Sequence, residues 1–526
     1  MGRVTTNTTA AAIAREQSRA VLPGSPVWES LEPNGISSFG AETETVARSP
    51  ISKNRQRSKG TVVDLDSGFE YEADLTMDAI RKFGDGLLCS SWTNEDLTFR
   101  AANTGATGWT IPAATAAQGS KIQYTAGGPI TLVYSRGYAN AANNGLFALT
   151  ADTASTGTLL ARTGLVTETA PANAEVSVCG IRCEAGDLAI SITSGVATLT
   201  SNNNGVSNDV DFTTLGLTVG QRIHVGGLTN TNRFAGVGPV FSYGSGRIRT
   251  IAATTITLDK LDATLVDSDG TDDGAGGTLV AVDLLFGRFV RNVAIDNAAF
   301  LEQYYQIELE YPNLFETDPP TPVAQPDGYE YALGNLLNSI EISMPQTDKA
   351  TFTANFVGTT SEAAVDGGSR KTNASTPLAP LFTEAMNTSA DFLRLRVALV
   401  DDTGITSDFA DATVTINNNV EPEKVLGTLG AKYLNLGNLE VDFEATALFT
   451  DPAVSSAIRN NTTLSMDWTL KNADGAVAFD IPSCTAGNGT RQFPVNESVK
   501  IEMTLQAFQD STFGSSMSIS LFPVYP

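Results

Sequence analysis

The sequence predicts a mainly β fold built of antiparallel sheets, and three observations carry that reading. Only 17% of the 526 residues are charged, while Gly, Ala, Ser, Thr and Asn abound, a mix suited to short strands and many turns. Six segments alternate apolar and polar residues at period two, which sends one set of side chains to each face of a sheet. Apolar residues at helical spacing are rare by comparison. Such alternation marks sheets with one packed and one wet face, and parallel α/β sheets lack it. At 41% hydrophobic residues the chain can bury a sizeable core, about three quarters of its unfolded surface, in roughly three or four domains.

Residues 1–60 carry a net charge of +3, against −28 for the rest of the chain. With Pro23, Pro26, Pro33 and Pro50 and little periodicity, they form no compact core alone. They read either as a disordered tail or as an extended N-terminal arm docking on an acidic neighbour, with Trp28 and Leu31 as apolar anchors. The first alternating strand is Phe69-Glu70-Tyr71-Glu72-Ala73-Asp74-Leu75. A helix over Asp78–Ser91 follows, capped by Thr76 or Asp78, with Ile80, Phe83, Leu87 and Leu88 on one side.

Residues 106–286 are richer in Gly, Thr and Asn and poorer in aromatics. Within them Ile130–Val133, an Asn/Gly turn and Thr158–Leu160 are echoed about 93 residues later by Ile223–Gly226 and Thr255–Leu258. The echo fits two duplicated β modules, about 106–185 and 186–286, and fits chance similarity in Gly/Thr-rich sequence equally well. Alternation resumes in Ile307–Tyr311, Leu439–Glu444, Leu464–Leu470, Val499–Leu505 and Met517–Leu521. A short helix starts at Asp451-Pro452 and runs to about Asn460. The expected division is an arm over 1–60, a β body formed by 61–105 and 287–526, and inserted small β modules over 106–286.

Several function classes are excluded. Lys plus Arg number 33 and Asp plus Glu 58, a net charge of −25 whose field repels the phosphates of duplex DNA and anionic lipid. Cys89, Cys179, Cys183 and Cys484 make no disulfide scaffold; Cys179 and Cys183 could pair, but read more simply as small buried thiols in a reducing compartment. The single histidine, His224, lies in a strand and leaves no site that needs two imidazoles. There is no Gly-x-Ser-x-Gly elbow and no Gly-Lys dipeptide, so neither a hydrolase triad nor a usual P-loop is expected. The carboxylates fall at regular period-two positions, the arrangement of a solvated face rather than of a glycosidase pair across a cleft. The run Asp267–Gly274 resembles part of a calcium loop, but its spacing is wrong and it reads as a surface loop. No catalytic residue, cofactor or metal is expected. The N-terminus lacks a signal peptide's apolar core, and even Leu279–Val290 is broken by Asp283 and Arg288, so no membrane insertion is expected.

What remains is a surface argument: a densely negative sheet face, a compact positive segment at 48–59, and self-assembly around an anionic cargo as the function that uses both. Particular residues then become informative. They are Trp28-Glu29-Ser30-Leu31-Glu32-Pro33-Asn34-Gly35, Glu42-Thr43-Glu44-Thr45, Arg55-Gln56-Arg57 and the strand and helix from Phe69 to Trp92. Later come Tyr329–Asn335, Ala350–Gly358, Thr415–Asn419, Gly427–Ala431, Phe449-Thr450-Asp451 and the ending from Asn496 to Pro523. In this order the chain resembles the tail tube (major tail) proteins of long, flexible-tailed bacteriophages, over about 26–105 and 290–526. Residues 106–286 depart from that pattern and look like additions displayed outside the tube.

The resemblance implies a tail-tube-type β-sandwich with a flanking helix, assembled into stacked hexameric rings around a hollow lumen. It implies a structural virion protein rather than an enzyme, assembled in the host cytoplasm and located in the virion tail. Its partners would be other copies, a tape measure protein in the lumen, and tail terminator and distal tail proteins at the tube ends. Double-stranded DNA would be met only in transit. Opposite apolar residues on core strands, Glu70, Glu72, Asp74, Glu308, Glu310, Glu440 and Asp442 are the candidate lumen-lining carboxylates, the alternative being an outer or inter-subunit position. Trp28, Leu31, Arg55 and Arg57 are the candidates for docking between rings. The competing readings are a β-rich virion surface or adhesin-like binding protein and, on carboxylate abundance alone, a glycan hydrolase.

Overall fold

The computed structural model describes residues 6, 9–48, 51, 53, 58–111, 121–122, 129–150, 159–201, 210–235, 241–267, 271–272, 278–279, 281–312, 327–363, 370–371, 376–399, 404–406 and 408–526. It is mainly β. Strands β1 (Ala10–Arg15) and β2 (Trp28–Leu31) pair antiparallel, Ala11 opposite Leu31. Next come β3 (Gly35–Arg48) and β4 (Ser58–Asp74), a long antiparallel pair. Only Ser67–Asp74 of β4 also pairs with another body strand. The outer parts, Ala41–Arg48 against Ser58–Ser67, form a two-stranded ribbon with Val46, Val62 and Val63 exposed.

Helix α1 (Met77–Leu88) begins where Thr76 Oγ1 accepts the Ala79 N–H at 3.2 Å, and stops at Cys89 in the left-handed region. All twelve of its residues are buried. On its apolar side Phe83 meets the rings of Tyr71, Tyr305, Phe352 and Phe356 at centroid separations of 5.7 to 6.3 Å. This packing requires glycine at two positions. A Cβ on Gly84 would sit 2.4 Å from Trp92 Cζ2, and one on Gly86 would sit 2.5 Å from Tyr305 Oη.

The polar side of α1 is covered by the first strands. Arg81 bonds to Asp78 at 3.0 Å and to Glu29, Lys82 donates to the Ser30 carbonyl at 2.6 Å, and Arg15 meets Asp85 at 2.7 Å. The described strands before Leu31 therefore pair and pack within this chain. Trp28, 2% exposed, packs on Tyr331 at 6.0 Å, and Leu31 joins the main core. Both anchors are spent within the chain, while Arg15, Glu29 and the Ser30 carbonyl supply the polar cover that the four charged helix residues need.

Residues 98–285 build a separate ten-stranded antiparallel sheet. Its central strand β5 (Glu175–Cys183) pairs with Ile130–Arg136 and with Val282–Leu285. Beyond the latter lie β6 (Arg222–Val225), β7 (Gly244–Ile251) and β8 (Thr255–Asp259). Two apolar clusters fill it, one around Trp109, Val133 and Leu160, the other around Phe212, Ile223 and Leu258. Leu159–Ala161 pairs in a small three-stranded sheet, whereas its sequence counterpart β8 pairs with β7 in the large one. The two similar stretches thus have different neighbours, so their likeness reflects shared strand and turn composition and not a repeated topology. Most of the acidic run at 267–274 lies outside the described residues.

The chain then returns to the body with β9 (Tyr305–Tyr311), β10 (Gly328–Met344), β11 (Thr351–Gly358) and β12 (Phe409–Asn417). A second projecting hairpin, β13 (Glu421–Lys424) and β14 (Ala431–Asn435), precedes β15 (Glu440–Leu448) and the short α2 (Ala453–Arg459). Asp451 Oδ1 accepts the Ala453 N–H at 2.7 Å at the start of α2, as its sequence predicts. Last come β16 (Thr463–Asn472), β17 (Gly475–Gln492), β18 (Lys500–Ala507) and β19 (Ser518–Phe522). All six strands expected from alternation are present. The eighteen-residue β17 joins the two layers: its second half pairs with β18 and its first half with β19, while β16 runs along its other edge. The layers share one core that holds Phe69, Phe83, Phe443, Trp468 and Ile519, with Trp468 stacked on Phe479 at 4.6 Å. Replacing Phe83 with Ala should lower unfolding free energy by about 3–5 kcal/mol, measured by urea titration, since four aromatic rings from three strands meet that ring.

Candidate functional site: a carboxylate face and the seam behind it

Neighbouring strands β4, β11, β10, β12, β15 and β18 turn alternate residues into the core. Their other side carries nine carboxylates: Glu70, Glu72, Asp74, Glu341, Asp411, Glu440, Asp442, Glu444 and Glu502. The register spaces them. One row across the sheet reads Glu72, Thr353, Glu341, Thr415, Asp442, Gln506. Its neighbours read Glu70, Asn355, Ser339, Asn417, Glu440 and Asp74, Thr351, Ser343, Thr413, Glu444, Thr504. Each carboxylate faces a hydroxyl or an amide across the ladder and never another carboxylate, so the like-charge pairs that destabilise sheets are avoided. Acids two strands apart are separated by about 10 Å, close to the Debye length at moderate salt, which leaves their mutual repulsion weak. Lys349 binds Asp74 at 2.7 Å and Lys500 binds Glu497 at 3.3 Å, at the margins of the face.

Five of the seven carboxylates singled out in the sequence, Glu70, Glu72, Asp74, Glu440 and Asp442, come together on this face. Glu308 and Glu310 do not. They lie on β9, between β1 and β10, where Glu308 is 0% exposed and bonds to Arg370 at 2.7 Å and to the Tyr331 hydroxyl at 2.9 Å. Glu310 shares the same guanidinium at 2.8 Å. Alternation on β9 does turn them from the core, but Arg370 and Tyr331 cover that side. Glu341, Asp411, Glu444 and Glu502 were not singled out. Glu444 and Glu502 stand in alternating runs already noted, and Ile340-Glu341-Ile342 shows the same signal. Only Asp411 is obscured, by a register shift between Phe409 and Asp411. Of the docking candidates, Trp28 and Leu31 are buried within the chain, and Arg55 and Arg57 lie outside the described residues.

Behind this face the second layer meets the inserted sheet. Asp467 on β16 and Asp480 on β17 point away from the core yet are only 2% and 5% exposed. Arg222 of β6 reaches Asp467 at 3.0 Å, and Arg247 of β7 bridges Asp480 at 2.7 Å and Asp259 at 2.8 Å. Arg394 adds contacts to Asp467 and to Asp262, the latter at 2.8 Å. The insert is therefore clamped to the side of the sandwich opposite the carboxylates. Burial opposes ionisation of Asp467, but Arg222, Arg394 and Arg396 outweigh it and hold its carboxyl below the usual range. Nearby His224 Nδ1 donates to the Gly226 carbonyl at 3.0 Å, and the ring stands edge-on to Tyr525 at 4.9 Å. Burial pushes its imidazole down to about 4, so it is a neutral packing group. Cys89, Cys179, Cys183 and Cys484 are all unpaired thiols.

A family model described as phage tail tube protein matches residues 6–507, insert included. The chain belongs to the phage tail tube protein family. No curated protein matches it. As a tail tube protein it is a structural component of the virion tail, and the two-faced sandwich with a clamped insert is how this sequence builds one. Among the described residues no helix of the tail tube protein is long and apolar enough to cross a membrane, and no group of three His, Cys, Asp or Glu is placed to hold a metal.

Two buried acids give this tail tube protein opposite pH limits. The folded pKa of Asp467 is depressed, so its contribution is present above the unfolded value of about 3.8 and lost as pH falls below it. Glu16 is 7% exposed, and burial pushes it up to about 7 although Ala20 and Gly334 donate backbone N–H groups to it at 2.6 and 3.0 Å. Its contribution is full below about 4.5 and is lost as pH rises through 7. Thermal melting should therefore peak in weak acid, and Glu16→Gln should flatten the decline between pH 5 and 8. Asp467→Asn should cost about 3–5 kcal/mol in urea unfolding, because Arg222 and Arg394 lose the charge they share.

Proposed function

We propose that copies of this protein close into hexameric rings that stack into a hollow tail tube, with the carboxylate face lining the lumen. The single observation that carries the reading is that face: nine acids on one side of a six-strand run, each opposite a neutral polar residue. A negative wall repels DNA phosphates at close range, so the duplex slides through without sticking. Screening within about 8 Å at physiological salt confines this effect to charges that face the lumen. Glu70, Glu72, Asp74, Glu440 and Asp442 remain the lumen candidates from the sequence, joined by Glu341, Asp411, Glu444 and Glu502.

The two projecting hairpins support contacts between rings. Lys424 of β13 binds Asp64 at 2.7 Å and Asp66 at 2.6 Å on β4, which holds the hairpins side by side. Val46, Val62, Val63, Leu426 and Leu429 stay exposed on them, apolar surface that a second copy would cover. The outer edge of β3 carries no partner strand among the described residues, and closing a ring would remove such edges. In this reading 61–105 and 287–526 supply the tube wall together with β1 and β2, and 106–286 faces outward. The lumen would hold the tape measure protein before DNA passes, and terminator and distal tail proteins would cap the ends, with assembly in the host cytoplasm. The insert's own core also favours a second role, as an outward module that binds a host surface.

Negative-stain electron microscopy of the concentrated protein, alone and with its tape measure partner, tests the assembly. Hollow tubes are expected, and uniform monomers under both conditions would end this reading. Removing residues 42–66 should leave a folded monomer with near-normal melting and no tubes. The triple change Glu72→Gln, Glu341→Gln, Asp442→Asn should still give tubes but slow DNA ejection from virions, most strongly at low salt, where screening lengthens.

A further inference from the structure

A cavity of about 390 Å³ opens where β1, the turn before β2, α1 and the insert meet, and its walls are rich in cations. Arg15, Arg81, Arg100 and Arg288 line it, in a chain whose net charge is −25. Two of these are matched: Arg15 by Asp85 at 2.7 Å and Arg81 by Asp78 and Glu29. The other two are held only in longer ion pairs. The nearest carboxylate oxygen to Arg100 is on Glu29 at 3.7 Å, and its buried Nη2 makes no hydrogen bond. Arg288, with a side chain only 10% exposed, faces Glu175 Oε2 at 3.9 Å, and that oxygen makes no hydrogen bond either. Both separations exceed hydrogen-bond reach. Burial keeps the Arg288 guanidinium below its usual range, with Glu175 only partly offsetting it.

A planar guanidinium presents paired donors that fit an oxyanion. Two such forks without a hydrogen-bonded carboxylate line one cavity, Arg100 from the insert's sheet and Arg288 from the strand that pairs with β19 of the body, and describe an incomplete binding site. We propose that this cavity takes an oxyanion, held by Arg100 and Arg288, which ties the N-terminal strands and the insert to the body. The ligand chemistry is a phosphate, sulfate or carboxylate group. It has two sources, an inorganic anion from solution or an Asp or Glu side chain of a second copy of this chain. The mouth suits either, since Arg15 and Glu95 at its rim are 39% and 43% exposed.

The test compares the full chain with Arg100→Met and Arg288→Met. Melting is followed against inorganic phosphate and sulfate at constant ionic strength, with chloride as the control, and each protein is then imaged for assembly. Arg100→Met is the variant to rely on if Arg288→Met, which strands Glu175, fails to fold. A saturable rise in melting temperature for the parent chain, with the apparent Kd at least tenfold weaker in Arg100→Met, establishes the free anion as ligand. No response to either anion, with Arg100→Met melting normally yet assembling at least tenfold less, assigns the site to a carboxylate of a second copy. An anion response that Arg100→Met leaves unchanged, or no response together with unimpaired assembly, overturns the proposal.

Discussion

The structure depends on a sheet that must bury one face completely while holding a dense charge on the other. Antiparallel pleating makes both possible on the same strands, since successive side chains point to opposite sides. Phe69, Tyr71 and Ala73 enter the core from β4 while Glu70, Glu72 and Asp74 leave it. Like charges would still meet across the ladder if neighbouring strands carried acids in the same register. Interposed Thr353, Thr415, Asn355 and Asn417 prevent this, so each acid keeps water and a neutral neighbour. Charge density is thereby reached without the repulsion that would open the sheet.

The same economy of charge fails where layers meet, and there the protein resorts to buried ion pairs. Asp467 and Asp480 would lie on a wet face if the body stood alone; covered by the insert, they need Arg222 and Arg247 in place of water. Well-packed apolar groups would serve stability as well, but only a charged pair ties one particular register of β6 and β7 to one position on β16 and β17. α1 repeats the arrangement on a smaller scale, with Asp78, Arg81, Lys82 and Asp85 enclosed by β1 and β2. These seams join the insert and the first strands to the body through buried ion pairs.

The fold was legible where one interaction dominates a stretch of chain. The alternating segments and the helix after Thr76 could be read because burial of every second residue, or of one helical face, leaves its period in the sequence. Five of the nine acids on the carboxylate face were picked out by the same signal. Glu308 shows its limit: alternation tells that a residue turns from the core, not what lies on the other side. Trp28 and Leu31 were recognised as anchors, but the surfaces they anchor to, Tyr331 for Trp28 and the main core for Leu31, are brought to them by folding. The insert's likeness between its halves was real at the level of turns and strands, and pairing partners set by distant residues undid it.

The sequence by itself determined that this is a β protein with a charged sheet face, because pleat periodicity is local and survives in any reading of neighbouring residues. It also determined the kinship with tail tube proteins, through the order of short segments along both parts of the body. The tertiary structure alone decided which acids share the face, how neutral residues separate them, and which charges are sealed in pairs. Those outcomes rest on strand order and on layers packed from segments hundreds of residues apart, and no local pattern encodes which surfaces will meet.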